Sequence, residues 1–198
     1  MARTPSTMSP LGTTCPDFTL PDPRGDTVDR DGAMGERGLL VMFLCNHNSC
    51  RSQMADGWLR HLRGGASVGV ASAGIVGGTA VKPGAIAVMR EAGVDISEFS
   101  SDAVADFDAA RFDVVVSCCG CGAKLDPEDK VAWKRRAIFE DWDLDDPPAI
   151  DPGDLSEYRR VRDEVKAKCV ELLAKLRDGP DLPAAKGVAC GCVDFLFL

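Results

Sequence analysis

The apolar run Leu39-Leu-Val-Met-Phe-Leu44 ends at Cys45. A polar stretch, Asn46-His-Asn-Ser49, separates it from a segment with apolar residues at Met54, Trp58, Leu59 and Leu62. An unbroken apolar run of this length, rich in branched residues, reads as a strand covered on both faces, and the spacing after it is helical. The unit is strand, tight polar loop, helix, which belongs in a parallel α/β sheet.

The alternation continues. Ser67 to Ile75 reads as a second strand, Pro83 to Ala92 as a helix opened by proline and closed by Gly93, and Phe112 to Ser117 as a third strand. Between 155 and 177, Leu155, Tyr158, Val161, Val165, Cys169, Leu172, Leu173 and Leu176 recur at helical spacing, and Gly179-Pro180 follows. The expectation is a single α/β domain over 39–178, a central parallel sheet flanked by helices. A loosely ordered N-terminal extension, 1–38, and a C-terminal tail, 179–198, flank it. At 198 residues, one domain with appendages is the natural division.

Charge narrows the function classes. Lys and Arg number 23 against 31 Asp and Glu, a net charge of −8. A general nucleic-acid binder needs a basic face and is disfavoured. An anionic substrate must therefore be captured locally. No stretch has the length of a membrane span, and no secretory or transit leader is evident in the acidic, Pro-rich N-terminus. Nine cysteines, an odd count, fall at Cys15, Cys45, Cys50, Cys118, Cys119, Cys121, Cys169, Cys190 and Cys192. This pattern suits a reducing, cytoplasmic setting, where clustered thiols mean catalysis, redox chemistry or metal.

The loop Cys45-Asn-His-Asn-Ser-Cys-Arg51 carries the chemistry. Backbone N–H groups curling into a helix N-terminus converge on one small volume, and the helix dipole adds positive potential there, so an oxyanion can bind without a basic protein. Arg51 offers a planar fork to two oxygens of a tetrahedral anion. The same field favours the Cys45 thiolate, the nucleophilic form. Asn46, His47, Asn48, Ser49, Cys50, Arg51 and Ser52 are the expected oxyanion-binding residues. Ser49 and Ser52 can donate to sulfur or anion, Asn48 tolerates a left-handed backbone, and His47 is expected to point outward. For Cys50, packing and redox participation stand level. Trp58, Trp133 and Trp142 read as packing residues, and Cys169 falls on the core face of the last helix.

The string Phe43-Leu-Cys-Asn-His-Asn-Ser-Cys-Arg-Ser-Gln-Met-Ala-Asp-Gly-Trp-Leu-Arg60 resembles the phosphate loop of low-molecular-weight tyrosine phosphatase-fold proteins, specifically their arsenate reductase branch. The resemblance extends to Ser117-Cys-Cys-Gly-Cys-Gly122 and to Ile138-Phe-Glu-Asp-Trp-Asp-Leu-Asp-Asp-Pro147, and is strongest toward the cyanobacterial type coupled to glutathione and glutaredoxin. It implies arsenate as substrate, Cys45 as nucleophile with Arg51 as clamp, Asp146 before Pro147 as general acid, and Cys119 and Cys121 as the resolving pair. Asp145 is the alternative acid. Eight acids with no Lys or Arg between 137 and 158 suggest mutual repulsion around that carboxyl.

The implied reductant is glutathione with glutaredoxin, or thioredoxin, with no bound cofactor. The alternatives are a tyrosine phosphatase, and a zinc- or arsenite-binding module using Cys118, Cys119, Cys121, Cys190 and Cys192. Pro148-Ala149 stands where the phosphatases carry tyrosines, which favours a small inorganic anion. Cys190-Gly-Cys192 reads equally as a second redox relay or as an accidental pair.

Overall fold

Strand β1 (Leu39–Cys45) pairs in parallel with β2 (Val68–Gly74) on one side and with β3 (Val114–Ser117) on the other. A fourth strand, β4 (Ile138–Asp141), adds in parallel to β3, giving the order β2-β1-β3-β4. This computed structural model describes residues 38–177 apart from 78–79, 122–123, 126, 137 and 148–153. The N-terminal extension up to residue 37 and the Cys190-Gly-Cys192 tail lie outside the described residues.

Helix α1 (Arg51–Leu62) links β1 to β2, and α2 (Pro83–Glu91) follows β2. Helix α3 (Pro127–Lys134) lies between β3 and β4, and α4 (Ser156–Arg177) closes the described chain. The apolar run of β1 divides by parity, because successive side chains on a strand point to opposite faces. Val41 and Phe43 join Trp58, Met89, Val165 and Leu172 on the face covered by α1, α2 and α4. Met42 and Leu44 join Val115, Phe112 and Trp133 on the other. These four β1 side chains are fully buried, each stabilising the fold by roughly 1.5–3 kcal/mol relative to exposure. On α4 the buried residues are Tyr158, Val161, Val165, Cys169, Leu172, Leu173 and Leu176, the stripe that periodicity predicts.

Cys45 is the last residue of β1, as the sequence reading has it, and is paired with Gly74. Two departures from that reading have physical causes. The third strand begins at Val114: Phe112 turns into the second core, and the Asp113 carboxylate accepts the Leu40 N–H at 3.0 Å. Strand β4 and helix α3 were not anticipated. Ile138-Phe-Glu-Asp141 is a short edge strand with no buried position, so it lacks the apolar pattern that marks the inner strands.

The topology positions the site. Leu44 lies opposite Ser117, and Ser117 opposite Asp141, so the loops leaving β1, β3 and β4 emerge side by side at the carboxyl edge of the sheet. Strand order reverses between β1 and β3, where open α/β sheets leave a crevice for ligands.

Candidate active site

The loop leaving β1 is built around Asn48, which adopts φ 47°. It lies against the end of β2 so closely that a Cβ on Gly74 would sit 2.8 Å from the Asn48 nitrogen. Gly74 therefore allows the loop its close approach. The segment 100–102 supports it from behind. Ser101 Oγ is 2.9 Å from the carbonyls of both His47 and Asn48, and the Asp102 N–H donates to Asn48 Oδ1 at 2.9 Å. At the start of α1, Cys50 provides no side-chain cap. The first-turn N–H groups thus remain open to an anion.

Hydrogen-bond chemistry orients the groups around Cys45. A backbone N–H can only donate, so Asp102 requires Asn48 Oδ1 as the acceptor and turns Asn48 Nδ2 toward Ser52, to which it donates at 2.9 Å. Accepting there leaves the Ser52 hydroxyl hydrogen for Cys45 Sγ, 2.9 Å away. The Asn48 N–H also donates to Cys45 Sγ, at 3.1 Å. Both donors converge on the sulfur. Cys45 is 3% exposed, with its sulfur held by the loop it serves.

Arg51 closes the loop. Its Nη1 donates to the Leu144 carbonyl at 2.9 Å, and its Nη2 lies 3.4 Å from Asp146 Oδ1. Its Nε is buried with no hydrogen-bond partner. An unpartnered buried donor is costly, and a bound oxyanion satisfies it. Asp146 has a 59% exposed side chain at the mouth, and Lys82 Nζ stands 3.7 Å from the same Oδ1. The carboxyl therefore faces two cations, in place of the acidic surroundings anticipated from residues 137–158. Asp145 turns outward to Arg160 at 3.0 Å, away from Arg51.

The thiols divide by environment. Cys119 is half-buried; Cys118 and Cys121 are buried. The Cys121 thiol, donating to Cys119, holds the Cys119 thiol down at about 6 against the opposing cost of burial. The Arg51 charge and the N–H groups of Asn46 and Cys121 add to this. Cys121 is raised in turn, first by that donation and then by burial, with the Ser117 hydroxyl opposing. Cys119 follows directly on Cys118, whose N–H donates to the Leu44 carbonyl at 2.7 Å, which places it beside the Cys45 end of β1. Gly120 between the pair has φ 64°, a conformation that favours glycine. Burial pushes Cys50 up to about 12, and with 3% exposure it is packing. Cys118 is raised well above the ordinary range, chiefly by burial, and burial likewise pushes the Cys169 thiol up.

The outward position of His47 agrees with its exposure, and Trp58, Trp133 and Trp142 are buried, as packing requires. Asn46 sits at the mouth, its Oδ1 accepting from Lys124 Nζ at 3.3 Å. Lys82 and Lys124 were not singled out for the site. The legible signal for Lys82 is its place directly before the proline that opens α2. Among the described residues no group of three or more His, Cys, Asp or Glu side chains is arranged to hold a metal ion.

A strand-end cysteine in a cradle of amides, with an arginine opening the next helix and a carboxylate across the mouth, defines the Cys-x5-Arg class of oxyanion-binding folds. Within it the family is specific. The chain belongs to the low molecular weight phosphotyrosine protein phosphatase family, whose profile matches residues 40–180. It is 46% identical over 136 residues to the glutaredoxin arsenate reductase of Synechocystis sp., covering 69% of this chain and 97% of that protein. It is 40% identical over 129 residues to an arsenate reductase of Bacillus licheniformis, covering 63% and 88% respectively. A solved structure described as an arsenate reductase in the phosphate binding state superposes with a TM-score of 0.60 at 45% identity, covering 69% of this chain and 97% of the other.

Proposed function

We propose that this protein is an arsenate reductase that converts arsenate to arsenite through a cysteine nucleophile and a thiol relay. The observation that carries this reading is the placement of Cys118-Cys119-Gly-Cys121 directly after β3, with the Cys118 N–H donating to the Leu44 carbonyl at 2.7 Å, so that a second pair of thiols leaves the sheet beside Cys45. Hydrolysis of a phosphocysteine needs no second thiol, whereas arsenate reduction needs two electrons from thiols. The similarity to glutaredoxin arsenate reductase supports the same reading.

Arsenate binds against the loop amides and Arg51. Cys45 Sγ bonds to arsenic as an oxygen departs as water, with Asp146 supplying the proton. Cys119 thiolate then attacks Cys45 Sγ: the S–S bond forms, the S–As bond breaks, and arsenic keeps the electron pair, leaving as arsenite. Cys121, deprotonated as it reacts, attacks Cys119 Sγ, freeing Cys45 and leaving a Cys119–Cys121 disulfide. Glutathione with glutaredoxin reduces that disulfide. The working compartment is the cytoplasm, where such reductants are abundant.

The test is arsenite production by the purified protein with glutathione and glutaredoxin, run in parallel with thioredoxin and with hydrolysis of an aryl phosphate. Arsenite formation with the glutaredoxin couple is expected. Rapid aryl phosphate hydrolysis with no arsenite formed under either couple assigns the protein to the phosphatases instead.

A further inference from the structure

The geometry points to Lys82 as the positioning residue that holds Asp146 over the leaving oxygen once substrate has claimed Arg51. This rests on the general-acid role proposed for Asp146. The guanidinium presents Nε and Nη2 along one edge, the pair that grips two oxygens of a tetrahedral anion. Nε is buried and unpartnered, Nη1 is committed to the Leu144 carbonyl, and Nη2 is the atom now paired with Asp146. An oxyanion in the loop therefore competes with Asp146 for Nη2. Among the described ion pairs, the remaining cation on Asp146 is Lys82, at 3.7 Å.

Lys82 is delivered from a rigid point. Its N–H donates to the Ser49 carbonyl at 2.7 Å, tying the start of α2 to the anion loop, and its carbonyl accepts from the Ile86 N–H at 3.2 Å. Pro83 fixes the first helical position. The Tyr158 ring of α4 lies so close over Gly84 that a Cβ there would come within 2.8 Å of it. The α2 N-terminus is thus wedged between the loop and α4, with the Lys82 side chain 36% exposed along the mouth. In the first step the S–As or S–P bond forms, the bond to the leaving oxygen breaks, and the Asp146 proton passes to that oxygen. A carboxyl released by Arg51 and unheld would swing into solvent. With Lys82 it stays in reach, the ammonium holding Oδ1 of the neutral carboxyl while the other oxygen carries the proton that is transferred.

The experiment compares Lys82→Met, Lys82→Arg, Asp146→Asn and the Lys82→Met/Asp146→Asn double variant in arsenate reduction and in hydrolysis of aryl phosphates with leaving groups of graded acidity. General-acid help matters most for basic leaving groups, so Lys82→Met is expected to lose about tenfold in kcat on phenyl phosphate and under about twofold on dinitrophenyl phosphate. In arsenate reduction kcat/KM falls about tenfold, while competitive inhibition by inorganic phosphate changes by under about twofold. Lys82→Arg recovers most of the rate, and Lys82→Met adds nothing to Asp146→Asn.

An equal loss across all leaving groups, a proportionate weakening of phosphate inhibition, or full additivity with Asp146→Asn overturns the assignment. If Asp146→Asn itself shows no leaving-group dependence, the general-acid reading falls, and Lys82 falls with it. If wild-type protein hydrolyses aryl phosphates without reducing arsenate, only the reductase reading fails and the aryl series still judges Lys82. Protein active on neither substrate overturns both.

Discussion

Ser52 Oγ and Cys45 Sγ lie 2.9 Å apart across the first turn of α1, and Asn48 Nδ2 donates to that same hydroxyl from its other side. The serine can therefore give its one hydrogen to the sulfur without leaving its own lone pairs unmet. Hydrogen bonds to charged groups contribute about 1.5–3 kcal/mol, so Ser52→Ala is expected to lower kcat roughly 10- to 100-fold. Ser52→Thr, which keeps the hydroxyl, should retain most of the rate. Steady-state kinetics on arsenate and on an aryl phosphate check this. An unchanged rate in Ser52→Ala would remove the serine from thiolate stabilisation.

Cys45→Ser should abolish arsenite formation and aryl phosphate hydrolysis together, because both begin at the same sulfur. Cys119→Ser should keep hydrolysis within about threefold of wild type and lose reduction, since it removes the thiol relay while sparing the loop amides. Arsenate turnover persisting in Cys119→Ser would refute the resolving role.

The Cys119 thiol, lowered to about 6 mainly by the Cys121 donor, fixes the sign of a pH dependence. Above that value the thiolate predominates; as pH falls through it the sulfur protonates and its nucleophilicity drops. Iodoacetamide labelling of Cys119, followed by mass spectrometry in a Cys45→Ser background, should show a midpoint near 6. In Cys121→Ala the donor is gone, and the midpoint should rise toward the ordinary thiol value near ~8.5. A midpoint that does not move assigns the low value to other groups.

Asn48 combines a left-handed backbone with six hydrogen bonds, through its side chain to Ser52, Gln53 and Asp102, through its N–H to Cys45 and through its carbonyl from Gln53 and Ser101. Asn48→Ala should cost about 1–3 kcal/mol through lost buried bonds and backbone strain. Asn48→Gly should relieve the strain yet leave Ser52 without its orienting partner. Denaturant melts together with kcat separate the two, with glycine the more stable variant and both slow.

The inner strands were legible because burial on both faces demands apolar runs, and Leu39–Leu44 and Val114–Val116 have them. The last helix was legible for a related reason, since its buried stripe repeats with the helical turn. Strand β4 was not, because an edge strand whose residues are half-exposed or exposed places little demand on residue type. The same limit applied to charge. Counting acids between 137 and 158 suggested repulsion around Asp146, but neighbours in space matter, and Arg51 and Lys82 come from other parts of the chain.

The order of residues in one turn of backbone was enough to specify the strand–loop–helix turn proposed to bind the anion: a buried strand, Cys-x5-Arg, and a helix start are local, and local geometry follows from local sequence. Which groups meet that loop was decided by the packing of β3 and β4 beside β1. That pairing brings the Cys118-Cys119 turn beside the end of β1 and Asp146 between Arg51 and Lys82, from positions tens of residues away. Contacts of that range depend on strand order, register and the wedging of α2 against α4, which exist only once the whole domain has folded.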